Sequence, residues 1–446
     1  MSFIRNSFLT LLGTIGRVVF SMVSQIVISR VLGPVGKGLY TFLVQIPTVL
    51  VPLCSLGLNY ANTYYIAKDP EDGKKAVGSS LAMAIILSTV MVVGVGVSYH
   101  FLKDGYMQAV TPLQLRLILL AIPFGLLNLY WLSVLWGMDS IGKYNLALMI
   151  QFIVLSLGVA VAAAFHRLTV TTGFGIWVAG NILTTLYMLP DMAKIVRWRF
   201  HTFSTSYIRQ TLSYGAKSYL ANVMMVINYR LDLFIITGFL PLSQVGLYAT
   251  AVTLAEMVGY LGNAVNTALI PKLASGKDSL TFSLTPKVTR LTLMLTFLAA
   301  LGMALIAYPL ILLFFGARFS GAYYPLLLLL PGIVALSGSV VLSGDLMARG
   351  KPIYSSYSSG ITVVLTLILD FTLIPLWGII GASIASSLVY LSLFALNYAF
   401  YRRESGERLI TVLIFTREDI REMTSFIKQA SNKWVSRGRK GQDEDD

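Results

Sequence analysis

Charge is scarce in this sequence. Only 12% of its 446 residues are Asp, Glu, Lys or Arg, whereas a soluble globular protein carries about twice that fraction. Leu39–Ala67 and Phe371–Tyr401 contain no charged residue at all. A helix that spans a bilayer needs about 20 mostly apolar residues. The composition therefore excludes an ordinary soluble protein and predicts a polytopic membrane protein.

Cysteine and histidine are too few to build the common reactive or metal sites. Cys54 is the only cysteine, so no intramolecular disulfide can form and the redox compartment is not encoded. The three histidines, His100, His166 and His201, lie near predicted helix ends at no metal-ligand spacing. The predicted outer loops are short and lack paired carboxylates. We therefore predict no catalytic site, no metal site and no bound cofactor, which disfavours a membrane glycosyltransferase, polymerase or ligase.

Long apolar segments separated by Gly, Pro or charge are the abundant feature, since 56% of the residues are hydrophobic. They predict an all-α membrane protein with twelve transmembrane helices. The predicted spans are Asn6–Val31, Leu39–Ala67, Ala76–Phe101, Leu113–Gly137, Tyr144–Phe165, Val170–Pro190, Leu212–Phe239, Ser243–Pro271, Pro286–Phe315, Gly321–Met347, Ile353–Pro375 and Gly378–Tyr401.

The chain repeats itself at an interval of 208 residues. Four pairs keep this interval: Gly38-Leu39-Tyr40 with Gly246-Leu247-Tyr248, Gly142-Lys143 with Gly350-Lys351, Pro123 with Pro331, and Gly173 with Gly381. The matches predict that a six-helix unit has been duplicated. Because six is even, both copies enter the membrane from the same side, so we expect two parallel six-helix bundles related by a pseudo-two-fold axis along the membrane normal.

The repeat divides the chain into four predicted parts. These are an N-terminal six-helix bundle over 1–190, a cytoplasmic linker over 191–211, a C-terminal six-helix bundle over 212–401 and a cytoplasmic tail over 402–446. The cationic, aromatic-rich linker suits either a helix on the membrane surface or a solvated loop. In the tail, apolar residues after Thr416 follow one helical face, which predicts a second surface helix.

Lys and Arg are concentrated in the loops on the N-terminal side of the membrane and in the tail. By the positive-inside rule, both termini of this multi-pass protein are predicted to be cytoplasmic, in the inner or plasma membrane. Arg30 and Lys37 are among the few cations assigned to outer loops. The net charge of +14 is thus a topology signal, and it requires no nucleic-acid partner.

Polar residues recur on single faces of the predicted helices 1, 2, 7 and 8. Small polar residues there can serve as contacts between helices. That interpretation fails for Arg17, Asp232 and Glu256, because a charge at bilayer depth costs roughly 2.5–3.5 kcal/mol. We therefore predict a hydrated cavity between the two bundles. Its candidate substrate-binding residues are Arg17, Ser21, Ser24, Gln25, Asn59, Asn222, Tyr229 and Tyr260.

The charged residues do not repeat, because Met225 stands in the second copy where Arg17 stands in the first. Asp232 and Glu256 are candidate ion-coupling residues, since an acid within a membrane span often carries a proton or helps to bind Na⁺. The alternative is that either acid pairs with Arg17 or Lys217. Asp370 is interpreted as a residue at a helix boundary.

The order and spacing of several segments resemble one family of membrane proteins. The segments are "SRVLGPVGKGLY", "RLDLFIITGFLPLSQVGLYATA", "FFGARFSGAYYPLLLLLPG", "ARGKP" and "LIPLWGIIGASIASS". They resemble the polysaccharide-lipid flippases of the multidrug/oligosaccharidyl-lipid/polysaccharide exporter superfamily, over Asn6–Tyr401.

The resemblance implies a transporter for cell-surface polysaccharide biosynthesis. It would flip an undecaprenyl-diphosphate-linked saccharide from the inner to the outer leaflet by alternating access of two six-helix bundles. Its partners would be membrane lipid and other polysaccharide assembly proteins. Related flippases carry an arginine in helix 1, which implies that Arg17 contacts the diphosphate. The alternative is a cation-coupled drug or small-molecule antiporter of the same superfamily, which should have an acidic cavity.

The segment "NYANTYY" at the end of predicted helix 2 is rich in tyrosine. Its rings could stack on sugars, but anchoring at the membrane interface is the more usual role of such residues.

Overall fold

The computed structural model describes residues 2–197, 204–275, 278–351 and 353–413, and its regular elements over these ranges are helical. The α-helices are α1 (Ser2–Cys54), α2 (Leu58–Lys68), α3 (Asp72–Leu102), α4 (Pro112–Gly137), α5 (Ile141–Ala164), α6 (Val170–Ile195), α7 (Thr205–Phe239), α8 (Leu242–Ser275), α9 (Asp278–Phe314), α10 (Tyr323–Ala348), α11 (Ile353–Ser405) and α12 (Leu409–Leu413). A 3₁₀-helix, Ala317–Ala322, joins α9 to α10. The tail helix predicted after Thr416 lies outside the described residues.

Eight segments of the described chain are long and apolar enough to cross a membrane. They are Gly13–Cys54, Asp72–Leu102, Pro112–Gly137, Ile141–Ala164, Val170–Ile195, Thr285–Phe314, Ala317–Ala348 and Ile353–Ser405. Large apolar side chains on them are exposed, including Val90 (65%), Leu305 (75%) and Leu376 (71%). An extended surface of this kind suits contact with lipid and not with water. The prediction of an all-helical, multi-pass membrane protein is confirmed.

Two of these helices contain a kink where the sequence predicts a loop. Gly33 in α1 has φ 66° and ψ −178°, and Gly378 in α11 has φ 59° and ψ −139°. Glycine adopts positive φ without steric cost. Pro34 and Pro375 lie beside the two kinks, and proline removes a helical hydrogen bond. The predicted breaks are therefore placed correctly, but the chain remains helical on both sides of each glycine.

One break was not predicted. Predicted helix 2 is divided between Cys54 and Leu58, where Leu56 (φ 53°) and Gly57 (φ 73°) have left-handed backbones. A Cβ atom on Gly57 would lie 2.8 Å from the carbonyl oxygen of Gly215 in α7. The break thus lets two backbones approach more closely than side chains would allow.

The structure describes the two ends of the segment that is predicted to be the linker. Asp191 to Ile195 continue α6, and α7 begins at Thr205. Ser204 caps α7 by accepting a hydrogen bond of 3.2 Å from the backbone N–H of Tyr207, which satisfies one of the free amides at the helix start. The residues between, 198–203, are outside the description.

The chain forms two compact units. The first contains residues 1–253, 306–328 and 359–386, and its core includes Ile28, Leu43, Ile122, Leu126 and Phe174. The second contains residues 254–305, 329–358 and 387–446. A cluster in the second unit joins Leu342 to Tyr398, Tyr401 and Val412. Most of the predicted polar faces fall in the first unit.

Polar contacts tie α1 and its neighbours to later parts of the first unit. The guanidinium of Arg30 donates a hydrogen bond of 2.9 Å to the carbonyl of Phe314 and a second one to Leu313. These carbonyls belong to the last turn of α9, where they lack helical partners. The Tyr106 hydroxyl donates to the carbonyl of Phe234 at 2.7 Å. Arg30 thus lies within α1 and caps the end of α9. The sequence analysis counted it among the outer-loop residues, and its assignment to a loop is wrong.

Candidate functional site

The predicted polar face of α1 is formed in the structure. Arg17, Ser21 and Gln25 follow at four-residue steps, so they lie one above the other on the helix. Arg17 is half-buried, and its guanidinium donates to the Thr14 hydroxyl at 3.0 Å and to the Gly13 carbonyl at 3.4 Å. These bonds are all local. They hold the side chain along its own helix and leave most of its five N–H donors available to an anion.

The serines of this face support the helix. Ser24 is fully buried, and its hydroxyl donates to the carbonyl of half-buried Ser21 at 2.8 Å. A hydroxyl bonded to its own backbone needs no further partner in an apolar region. Of the two serines, Ser21 is therefore the one whose side chain can still take part in binding.

A second cation reaches this face from beyond the kink. Lys37 is buried, with 2% of its surface exposed, and its ammonium donates a hydrogen bond to the side-chain carbonyl of Gln25. Its nitrogen also lies 5.9 Å from the centre of the Tyr40 ring. Twelve residues of straight helix would separate Lys37 from Gln25 by ~18 Å, so the bond depends on the turn at Gly33. The sequence analysis assigned Lys37 to an outer loop, and that assignment is wrong.

The remaining substrate-binding candidates in the first unit have different environments. Asn59 in α2 has a buried side-chain oxygen without a hydrogen-bond partner among the described residues. Tyr229 is half-buried in α7 and is engaged with other groups. The side chain of Asn222 lies outside the described part of the structure. Among these candidates, the side-chain oxygen of Asn59 is the clearest acceptor for a ligand's hydrogen bond.

Asp232 lies at the centre of a polar cluster that links α7, α8 and α11. Its side chain is 6% exposed and accepts 2.6 Å from the Tyr248 hydroxyl and 2.7 Å from the Leu233 backbone N–H. The Tyr248 oxygen is also 3.1 Å from the Ser386 hydroxyl. Both of these donors are neutral, and Tyr248, the last residue of the repeated Gly-Leu-Tyr motif, supplies the stronger of the two.

Asp370 is the functional candidate that the sequence analysis missed. It is completely buried, and neither carboxylate oxygen has a hydrogen-bond partner among the described residues. One turn earlier on each helix, the Thr366 hydroxyl donates 3.1 Å to the side chain of Asn228. Since Asp232 and Asp370 each follow four residues later, the two acids occupy matching positions on facing helices, and Asp232 acts electrostatically on Asp370.

A position at a helix boundary does not by itself account for a residue that is completely buried and has no hydrogen-bond partner among the described residues. The available signal was that Asp370 is the only acidic residue between Ile353 and Glu404. A lone acid in so long an apolar stretch is a functional candidate by default.

Two predicted residues fall in the second unit. Glu256 is half-buried in α8 and interacts with other groups, whereas Tyr260 is 43% exposed one turn further on. The same unit contains a buried ion pair in which Arg349 donates to both oxygens of Asp345, at 2.6 and 2.9 Å. Thr285 completes that pair with a hydrogen bond of 2.8 Å. Asp345 is therefore neutralised within its own unit, in contrast to Asp370.

The described part of the chain contains apolar helices long enough to span a membrane, and these helices bury a few charged side chains. The solved structures agree on the fold. The chain matches the "Lipid II flippase MurJ, inward closed conformation" with a TM-score of 0.74 at 16% identity, over 88% of this chain and 87% of that one. It matches an inward-facing multidrug resistance MATE family transporter of the MOP superfamily with a TM-score of 0.69 at 14% identity, over 87% and 94%.

Sequence similarity identifies the family within this class. Residues 3–277 match the family described as "Polysaccharide biosynthesis protein". Because the match covers more than half of the chain, the protein belongs to this family. A curated relative, the "Putative O-antigen transporter" of Shigella flexneri, is 22% identical over 422 residues, which are 90% of this chain and 98% of that protein. The family resemblance predicted from the sequence is confirmed.

Proposed function

We propose that the protein flips a polyprenyl-diphosphate-linked saccharide from the inner to the outer leaflet for cell-surface polysaccharide biosynthesis. Family membership over residues 3–277 carries this proposal. Similarity to a putative O-antigen transporter along 98% of that protein's length supports it. The relative and the two structural neighbours are transporters or flippases, in agreement with the prediction of a transporter and not an enzyme.

The substrate class follows from the chemistry of the α1 face. Arg17 and Lys37 have no acidic partner among the described residues. A planar guanidinium can bind a phosphate through two parallel hydrogen bonds, and its bonds strengthen in a region of low dielectric. We assign Arg17 to the diphosphate of an undecaprenyl-diphosphate-linked saccharide. Ser21, Asn59 and Tyr229 would bind polar groups of the same ligand.

The proposed architecture is two parallel six-helix bundles with both termini in the cytoplasm. α1 and α11 contain 53 residues each, which gives each a length of ~80 Å, far more than one crossing of a ~30 Å hydrocarbon core. With a turn at the kink, each would cross twice. Adding α7 and α8 to the eight candidate spans then gives twelve crossings, and the alternating movement of the bundles would expose the site to each side in turn.

Transport is proposed to be coupled to H⁺ or Na⁺ through buried acids. The unpartnered oxygens of Asp370, beside Asp232, are the kind of ligand atoms that a small cation prefers. Proton uptake would convert the carboxylate of Asp370 to a neutral carboxylic acid, which removes an unpaired buried charge. Glu256 in the second unit is the other coupling candidate.

A cation-coupled antiporter of the same superfamily is less supported. The buried acids would suit it, and a MATE transporter shares the fold. However, the MATE transporter is 14% identical to this chain, whereas the putative O-antigen transporter is 22% identical over 90% of the chain. The cationic face of α1 also suits an anion better than a cationic drug.

A deletion strain tests the function. Loss of the gene should deplete surface polysaccharide and accumulate the lipid-linked saccharide in the inner leaflet, and the wild-type gene should restore both. Susceptibility to cationic drugs is measured in the same strains. Altered susceptibility with normal surface polysaccharide would replace the flippase by the antiporter.

A further inference from the structure

A pocket lined with tyrosine and unengaged polar side chains lies where the end of α2 meets the start of α7. Its volume is about 560 Å³, and its lining residues are Tyr65, Ser206, Arg209, Gln210, Ser213 and Tyr214. We propose that this pocket is a binding site for the sugar-phosphate headgroup of a lipid-linked saccharide, separate from the α1 face. The inference rests on the proposed flippase function and names where that substrate is first bound.

One wall of the pocket is a set of stacked and edge-on rings. Tyr64 stacks on Tyr214 with ring centres 4.4 Å apart and an angle of 16° between the planes. Tyr65 meets Tyr214 edge-on at 5.6 Å and Tyr207 at 6.2 Å. Rings that only anchor a protein at the membrane interface need not contact one another. Here they form a continuous apolar surface, which suits the C–H face of a sugar ring.

The polar lining is not used by the protein itself. Ser206, Arg209, Gln210 and Ser213 make no side-chain hydrogen bond or ion pair to another described residue. Arg209 is exposed at the pocket, and its five N–H donors suit a phosphate. The hydroxyls and the amide suit the hydroxyl groups of a sugar. The set therefore combines the two chemistries that a glycosyl phosphate presents.

The pocket is held by a well-bonded frame. The Tyr207 hydroxyl donates 3.1 Å to the side chain of Asn62, which in turn donates 2.9 Å to the Ser80 hydroxyl. Behind it, α2 and α7 meet at Gly57 and Gly215 without intervening side chains. A site on a rigid frame binds with a smaller loss of conformational entropy. The polar groups are thus free while their backbone is fixed.

The position of the pocket fits the first contact with substrate. The start of α7 follows the linker, which the charge distribution places in the cytoplasm. Lipid-linked saccharides approach a flippase from that side. Asp72, whose charge acts on Tyr207 behind the aromatic wall, is paired with Lys75 at 2.8 Å. Arg209 therefore has no acidic partner among the described residues that would compete with a phosphate.

Binding by the purified full-length protein in phosphatidylcholine nanodiscs tests the proposal. The probes are farnesyl-diphosphate-linked N-acetylglucosamine, farnesyl diphosphate without sugar, and phosphatidylglycerol added to the nanodisc. We expect the sugar-linked probe to bind most tightly. Measured in Arg17→Ala protein, so that the proposed diphosphate site on α1 does not contribute, Arg209→Ala should weaken both diphosphate probes roughly tenfold or more, as loss of a charged hydrogen bond does. Tyr214→Ala should weaken only the sugar-linked probe, and Tyr214→Phe should retain its binding.

Matched controls are Arg403→Ala, an exposed arginine elsewhere, and Tyr357→Ala, an exposed tyrosine outside the pocket. Wild-type affinity in both Arg209→Ala and Tyr214→Ala would overturn the site. So would competition by phosphatidylglycerol, which would mark a general site for anionic lipid. Export in cells separates the two proposals. If wild type restores export but the pocket variants bind and export normally, only the pocket fails. If wild type does not restore export, the flippase function fails.

Discussion

Gly38 and Gly246, the first residues of the two copies of the Gly-Leu-Tyr motif, pack backbone against backbone. A Cβ atom on Gly38 would lie 1.9 Å from the carbonyl oxygen of Leu242, and one on Gly246 would lie 2.0 Å from that of Pro34. Leu242 and Pro34 are themselves 208 residues apart. The repeat thus contacts its own copy, and α1 crosses α8 at a distance that only glycine permits.

Adding a methyl group at this crossing should destabilise the protein. Gly38→Ala would force two backbones apart, and no flexible side chain can move to relieve the clash. Overpacking of this kind costs about 1–3 kcal/mol. We expect a lower melting temperature in detergent and reduced export. Gly94→Ala is the control, because no atom lies within 4 Å of its added Cβ. An unchanged melting temperature in Gly38→Ala would contradict the crossing.

Arg17 should be required for export and not for folding. Its hydrogen bonds are to Gly13 and Thr14 of its own helix, so Arg17→Ala should accumulate normally. Loss of a charged hydrogen bond to phosphate costs about 1.5–3 kcal/mol, which is a reduction of roughly ten- to a hundredfold. Arg17→Lys should restore export only in part, since it keeps the charge but loses the planar fork.

The measurement is surface saccharide normalised to folded protein, with exposed Arg116→Ala as the control. Normal export in Arg17→Ala would remove Arg17 from the substrate site. If Arg17→Ala instead lowered abundance and Asp232→Asn in the same chain restored it, the two residues would be structural partners.

Asp370→Asn should raise stability while abolishing ion dependence. An unpartnered buried carboxylate beside Asp232 is unfavourable, and its neutralisation should stabilise the protein by at least about 1 kcal/mol. Asp232→Asn should lack this gain, because it weakens the bond from Tyr248. Melting temperatures are measured without added Na⁺, and transport is measured in proteoliposomes under an imposed Na⁺ or H⁺ gradient. A less stable Asp370→Asn protein that kept its ion dependence would rule out the coupling role.

Labelling of single cysteines tests the topology. Once Cys54, the only native cysteine, is replaced by serine, Glu71→Cys and Gln244→Cys should react with a membrane-impermeant maleimide from opposite sides. Glu71→Cys should react only in inside-out vesicles, and Gln244→Cys only in intact cells. Labelling of both from one side would contradict the proposed parallel bundles.

The sequence alone determined those properties that depend on neighbouring residues or on composition. Scarce charge and long apolar runs identified a membrane protein, because the cost of burying charge in lipid acts on each segment separately. The kinks at Gly33 and Gly378 were placed correctly because glycine and proline act on the local backbone. The repeat was visible because it is a property of residue order.

Only the tertiary structure decided which faces meet. Lys37 follows a glycine-proline break and is assigned by pattern to a loop, yet the turn at Gly33 brings it back to Gln25. Asp370 looks like a boundary residue until α11 is placed against α7, which buries it beside Asp232. Lys37 and Gln25 are 12 positions apart in the sequence, and Asp370 and Asp232 are more than 100 positions apart. The existence of such contacts depends on how whole helices pack, and helix packing is not encoded in the local pattern of any one segment.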